Sequence, residues 1–277
     1  MGLRIGTNVQ SLAAQRNLGI NTLAQRNSLE KIASGTRINR AADDAAGLAI
    51  AERMKGTIRS VRQDTRNAND GISMIQTAEG GMSEISNILV RFRELSIQSS
   101  SDTITDTERG FINKEVQQVR SEVDRISQST EFNGHKLLNG EGGKMDIQVG
   151  QNNNPNEDRF SYEASKTNSS VSALGLNGLN TETKEASQEN LAKIDEAIKN
   201  LSGNRAELGA LQNRLQSTVN NLTVYDENIS SARSRIYDVD MASETAELTK
   251  QNILSQAGVS VLSQANQNSM SALKLLS

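Results

Sequence analysis

Ile75-Gln76-Thr77-Ala78-Glu79-Gly80-Gly81-Met82-Ser83-Glu84-Ile85-Ser86-Asn87-Ile88-Leu89-Val90-Arg91-Phe92 carries apolar residues at 75, 78, 82, 85, 89 and 92. Steps of three and four repeating every seven residues are the seam of an α-helix that packs against another helix. Toward the N-terminus the seam extends through Ile72, Ala68, Thr65, Val61, Ile58, Met54, Ala51 and Leu48. Asp70-Gly71 and Gly80-Gly81 lower helix propensity without breaking the phase, each glycine costing up to about 1 kcal/mol relative to alanine. Ser99 to Asp106 reads as a turn, and a second helix follows with Ile112, Val116, Val119, Val123 and Ile126 in phase.

From about 187 to 239 the heptad returns: Leu191, Ile194, Ile198, Leu201, Leu208, Leu211, Leu215, Val219, Leu222, Tyr225, Ile229, Ala232, Ile236 and Val239. Neither long helix can bury its seam alone. The spacing predicts antiparallel packing of the two, with the 107–130 helix alongside. Between them, 131–180 changes character. Asn133-Gly134 and Asn139-Gly140 are hairpin-turn dipeptides, while Met145, Ile147 and Val149, then Phe160 and Tyr162, alternate with polar neighbours as short strands do. Pro155 marks a loop. The expected fold is mainly α: a long antiparallel helical bundle or coiled coil with a small β-hairpin region and discontinuous terminal helices.

Composition agrees with thin, elongated packing. The 277 residues include four Phe, three Tyr, no Trp and one Pro, and the mean hydropathy is −0.54. Large buried aromatics are scarce, and the near absence of proline leaves long helices uninterrupted. No cysteine is present, which excludes disulfides and thiolate zinc sites. A net charge of −3 argues against nucleic acid as a partner. No apolar run reaches the ~18 residues of a membrane span, and Met1 to Leu12 lacks the pattern of a cleaved secretory signal. Export would need another route.

Residues 1–25 carry only Arg4 and Arg16 as charged side chains, and 251–277 only Lys274. Helical apolar spacing persists there, through Ile5, Val9 and Leu12 at one end and Leu254, Val261, Leu262, Ala265, Leu273 and Leu276 at the other. A solvated helix presents a charged face; these two ends are instead aliphatic and amide-rich. They are expected to become ordered against copies of the same chain, where amides and hydroxyls pair without the cost of burying a charge.

Catalytic chemistry finds no carrier. His135, the only histidine, lies beside the Asn133-Gly134 turn with neither nucleophile nor orienting carboxylate nearby in sequence. Gly140-Glu141-Gly142-Gly143-Lys144 has the wrong spacing for a phosphate loop and reads as a hairpin turn. Asp43-Asp44, and Asp238 with Asp240, could be imagined as metal carboxylates, but Asp106 or Asp238 with nearby acids lacks calcium-loop spacing. Asp43 is expected instead to be a helix N-cap or first-turn acid of the long helix beginning near Ala45. No enzyme, cofactor or metal site is expected.

Ser34-Gly35-Thr36-Arg37-Ile38-Asn39-Arg40-Ala41-Ala42-Asp43-Asp44-Ala45-Ala46-Gly47-Leu48-Ala49-Ile50 and Asn67-Ala68-Asn69-Asp70-Gly71-Ile72-Ser73 resemble the N-terminal signature of bacterial flagellins. Ser234-Arg235-Ile236-Tyr237-Asp238-Val239-Asp240-Met241-Ala242-Ser243-Glu244 and Thr249-Lys250-Gln251-Asn252-Ile253-Leu254-Ser255-Gln256-Ala257-Gly258 resemble its C-terminal signature. The resemblance covers about 1–140 and 187–277, and the short middle resembles a form without large outer domains. It implies a self-assembling flagellar filament subunit whose terminal segments, 1–42 and 240–277, form an inner tube, with 43–239 as the next shell. It further implies secretion through the flagellar type III apparatus to the cell exterior, a dedicated export chaperone, and contact with filament cap and hook-junction proteins. A surface matching Arg91, Glu94, Leu95 and Glu115 is read in this family by the toll-like receptor for flagellin, although Val90 stands here in place of the usual glutamine. Gly6, Ser269 and Ser277 also depart from residues common in the family. A hook–filament junction protein, with related ends, is the alternative. A signalling coiled coil of the chemoreceptor kind would need a membrane anchor and a single hairpin tip, and the sequence has neither pattern.

Overall fold

The computed structural model describes residues 7–274, with side chains described as far as Gln267. Five helices and four short strands follow one another: α1 (Val9–Ser34), α2 (Ala45–Ser99), α3 (Asp106–Ser129), β1 (Glu131–Phe132), β2 (His135–Lys136), β3 (Lys144–Gln148), β4 (Arg159–Glu163), α4 (Lys184–Tyr237) and α5 (Met241–Lys274). They form two compact units, one of residues 1–56 with 228–277 and one of residues 57–227. The divisions fall inside α2 and α4.

In the 57–227 unit the seam of α2 is buried as its spacing predicts: Val61, Ala68, Ile75, Ala78, Met82, Ile85, Leu89 and Phe92 are all inaccessible to solvent. Ile194, Leu201, Leu208 and Leu215 of α4 join the same core, as do Ile112, Val116 and Val123 of α3. Three ion pairs fix the direction of packing. Arg93 meets Asp195 at 2.7 Å, Glu79 meets Arg205 at 3.6 Å and Arg62 meets Asp226 at 3.0 Å. Moving back along α2 moves forward along α4, so the two are antiparallel. Tyr225, read as part of the α4 seam, is a correction: it is exposed. Leu222 before it is only half-buried, so the seam loses its cover toward the end of the unit.

The turn between α2 and α3 is held by local polar chemistry. Thr105 and Glu108 form a reciprocal capping box at the start of α3, and the Thr105 backbone N–H, followed by its hydroxyl, holds the Glu108 carboxyl below its usual range. Arg109 is buried and donates to the carbonyls of Ser99, Ser101 and Ile104. These are groups that a helix end and a tight turn leave without partners.

Two antiparallel hairpins complete the unit. Asn133 (φ 50°) and Gly134 (φ 82°) close β1 onto β2, as the dipeptide predicts. Asn139-Gly140 does not close a hairpin. β2 pairs with β1 and β3 with β4, so 137–143 merely connects two sheets, and the Asn139 side chain accepts from the Glu141 N–H instead. The expected turn at Gly140–Lys144 is corrected for the same reason. β3 and β4 pair Met145 with Tyr162 and Ile147 with Phe160, and the buried Tyr162 hydroxyl donates to the Leu137 carbonyl at 2.6 Å. The helix cap before α2 is also corrected. Asp44, not Asp43, accepts from the Gly47 N–H at 2.7 Å, while Asp43 accepts from the N–H groups of Asn39 and Arg40.

Gly81 explains one interruption of the long seam. A Cβ there would lie 2.7 Å from the Thr130 hydroxyl and 2.8 Å from Leu138 Cδ1, whereas one at Gly80 would meet nothing within 4 Å. Gly80→Ala is therefore expected to stabilise the chain by up to about 1 kcal/mol through helix propensity. Gly81→Ala should destabilise it by roughly 1–3 kcal/mol through overpacking; paired urea melts would check the opposite signs. Asp64, buried with Oδ2 unpartnered, is held above its usual pKa by burial and by the Asp158 carboxylate. A raised acid contributes stability that is complete below the unfolded value of about 3.9 and is lost as pH rises through the folded value. Asp64→Asn should thus be more stable than wild type at pH 7, with the advantage shrinking at pH 4 in parallel thermal melts.

Candidate functional site, a pair of terminal helices

α1 is defined at both ends, and α5 at its start, by local sequence. Asn8 caps α1 by accepting from the Ser11 N–H at 3.0 Å, and Gly35, at φ 71°, ends it with an N–H bond to the Lys31 carbonyl. Asp240 caps α5 through the N–H groups of Ala242 and Ser243. That gives Asp240 a structural task in place of the metal ligation considered for it.

α1 and α5 pack antiparallel. Ser11 donates to Asn266 at 3.0 Å and Gln25 to Asn252 at 2.6 Å: fourteen residues forward on one helix are fourteen back on the other. Asn8 also donates to the Ala265 carbonyl at 2.9 Å, and Lys31 lies 3.9 Å from Glu244. The facing residues fall on a heptad, Ser11, Ala14, Leu18, Asn21, Gln25 and Ser28 on α1, and Glu244, Leu248, Gln251, Ser255, Gly258, Leu262 and Ala265 on α5, all buried or half-buried. This seam is composed largely of small and amide side chains.

The aliphatic residues turn the other way. Val9 is 68% exposed, Leu12 57%, Ile20 59% and Leu23 61%, and their steps along α1 place them on one stripe together with the exposed Arg16. On α5, Ile253, Leu254, Val259 and Val261 are likewise exposed. Of the residues expected in assembly, Val9, Leu12, Leu254 and Val261 are therefore on the surface, and Leu262 is half-buried in the seam. Ile5 and Leu276, with Gly6 and Ser277, lie outside the described residues, and the side chains of Leu273 and Ser269 lie outside them too. Ile20, Leu23, Ile253 and Val259 were not anticipated. The signal was available for α1, since the spacing of Val9 and Leu12 continues past Arg16.

The second expected surface lies in the other unit. Arg91 on α2 donates to Glu115 on α3 at 2.8 Å and to Glu94 at 3.1 Å, and Glu115 foremost, then Glu94, raises the Arg91 pKa. All three are exposed. Leu95 is not: it is 1% exposed and packs in the core, because its step from Phe92 keeps it on the buried seam. Among the described residues no cluster of three or more His, Asp or Glu side chains could hold a metal ion, and no helix is long and apolar enough to cross a membrane.

Comparison with known proteins places this geometry. The bacterial flagellin N-terminal helical region matches residues 5–142, and the flagellin C-terminal helical region matches 191–276. The chain belongs to the bacterial flagellin family. A flagellin of Halalkalibacterium halodurans is 43% identical over 98% of this chain and 99% of its own length. A flagellin of Bacillus subtilis is 42% identical over 99% and 100%. The crystal structure of Bacillus cereus flagellin matches with a TM-score of 0.51 at 29% identity, over 61% of this chain and 94% of that one. This family member is a structural subunit of the bacterial flagellar filament and not an enzyme. It assembles with copies of itself, and the filament stands on the cell exterior. Nothing in these findings favours the hook–filament junction alternative. Each family region contains one helix of the terminal pair, and the segment between them holds β3 and β4.

The Arg91–Glu115 pair is half-exposed on both sides, so water and salt screen it. A double-mutant cycle with Arg91→Ala and Glu115→Ala, read by urea denaturation of the monomer, should give a coupling that is small and falls further in high salt.

Proposed function

We propose that the filament subunit assembles by burying the outward aliphatic stripe of α1 and the exposed aliphatic side chains of α5 against neighbouring copies, with residues 1–42 and 240–277 acting as the tube-forming domain and 43–239 as the surrounding shell. The observation that carries this reading is the inversion of the pair. Its seam is small and amide-rich, while Val9, Leu12, Ile20, Leu23, Ile253, Leu254, Val259 and Val261 face solvent. Fully burying one such side chain is worth about 1.5–3 kcal/mol, and eight of them per subunit supply a driving force repeated at every step of a polymer. Residues 1–25 carry only Arg4 and Arg16 as charged side chains and 251–277 only Lys274, so burial of these ends strands few ions.

The same exposure bears on what happens before assembly. An uncovered aliphatic surface invites aggregation, and a dedicated export chaperone covering the C-terminal helix until passage through the flagellar type III apparatus meets that need. Cap and hook-junction proteins would engage the same helices at the filament ends, where a neighbouring subunit is missing. The exposed Arg91, Glu94 and Glu115 are the side chains of this chain available to the toll-like receptor for flagellin, with Leu95 supporting them from beneath.

Replacing Leu12, Ile20, Leu254 and Val261 together by serine should leave the monomer's circular dichroism and melting nearly unchanged, since each site is exposed and each change is worth within about 0.5 kcal/mol. Seeded polymerisation, followed by pelleting and negative-stain microscopy, should fail. Serine variants that polymerise like the wild type would sink the proposal, as would filaments from a chain lacking 240–277.

A further inference from the structure

Two features of the 57–227 unit are left unexplained by the terminal helices. The first is an exposed aromatic ring. Of the four phenylalanines, Phe92 is buried and Phe132 and Phe160 are half-buried, but Phe111 on α3 is 63% exposed. The Lys114 ammonium, one turn further on, sits 5.7 Å from its ring and forms no ion pair among the described residues.

The second is a groove of about 490 Å³ between α2 and the hairpins. Met74, Phe132, Met145 and Ile147 form its apolar floor, and Asp70, Asp146 and His135 stand at its rim. Gly71 lets the hairpin close on the helix, since a Cβ there would lie 2.7 Å from Ile147 Cδ1, and Asn67 ties the two together by donating to the Gln148 carbonyl at 3.0 Å. Asp146 is already engaged by Ser161 at 2.6 Å and Lys144 at 3.3 Å. Asp70 is exposed and has no partner among the described residues.

We propose that Phe111 and Lys114 of one subunit dock in this groove on a neighbouring subunit of the filament, the ring on the methionine-lined floor and the ammonium beside Asp70. The complementarity is chemical at both points. Thioethers and an aromatic edge are favoured partners for a phenyl ring, and an unpaired cation meets an unpaired carboxylate. The chain cannot fill its own groove. Arg91, which reaches Glu115 one turn from Phe111, is twenty residues from Gly71, about 30 Å along α2 at 1.5 Å per residue. Between subunits oriented alike, knob and groove are different surfaces, so the contact is heterologous and repeats without closing. The inference rests on assembly into a filament and adds to it a contact away from the terminal helices.

The natural chain has no cysteine, so introduced thiols report cleanly. The double variant Phe111→Cys with Met145→Cys would be polymerised on wild-type seeds, pelleted to confirm filaments, and treated with a short bis-maleimide. A ladder of linked subunits in filaments, absent from monomer and from a Phe111→Cys, Gln128→Cys control, is the expected result. Filaments that form but link no more than the control would overturn the contact, and so would linked dimers from unpolymerised chain. Charge exchange supplies a second reading that spares the floor. Lys114→Glu and Asp70→Lys should each raise the critical concentration about tenfold, the scale of an interface hot spot, and the combined variant should restore it. Failure of the combined variant to recover, with the single variants impaired or not, would overturn the pairing. Wild-type chain that never forms filaments would overturn the filament reading itself and this contact with it.

Discussion

The seam of α2 is the constraint on which the 57–227 unit depends. A long helix with apolar side chains at steps of three and four has no means of covering them itself, and every other element of the unit is placed where it covers part of that row. α4 runs antiparallel along it, α3 folds back from the turn organised by Arg109, and the hairpins close over Gly71 and Gly81, where the missing side chains admit them. Ion pairs such as Arg93–Asp195 and Arg62–Asp226 mark the register but are exposed, so the apolar row and not the charges carries the stability.

The terminal helices follow the opposite design. A heptad is present there too, but its facing positions are filled mostly by serine, alanine, glycine and amides, with Leu18, Leu248 and Leu262 among them, while Val9, Leu12, Ile20 and Leu23 lie on a stripe of α1 turned away from it. Such a pair is held by modest contacts, among them the hydrogen bonds of Ser11 with Asn266 and Gln25 with Asn252, and leaves its main hydrophobic surface for other molecules. In the proposed assembly the two helices find their mutual register through specific amides, while the larger driving force is withheld until copies meet.

Local chemistry decides the joints between these elements. The Thr105–Glu108 box starts α3, Asp44 starts α2 and Asp240 starts α5, each by accepting from backbone N–H groups that a helix start leaves free. Gly35 ends α1 in a left-handed conformation, and the chain beside it bonds across to the end of α4, Arg37 N–H to Tyr237 and Val239 N–H to Gly35.

The filament role was legible through the resemblance of the two end signatures to flagellins. The long helices and their antiparallel bundle were legible in the sequence, because a heptad repeat states which faces must be covered. The β3–β4 alternation and the Asn133-Gly134 turn were legible for the same reason, each resting on a period or on a dipeptide's own backbone preference. What the tertiary structure alone decided was direction and partnership. Asp43 and Asp44 are equivalent as sequence, and only the path of the chain chose Asp44 as the cap. Asn139-Gly140 has hairpin chemistry but no strand beyond it to pair back. Leu95 carries a surface-motif resemblance, yet its place on the α2 seam buries it. Above all, apolar spacing shows that Val9 and Leu12 share a face but not which way that face points. That depends on whether α5 seats itself against the aliphatic stripe or against the small, amide-rich one, and the closer approach permitted by Ala14, Gly258 and Ala265 brings it to the latter.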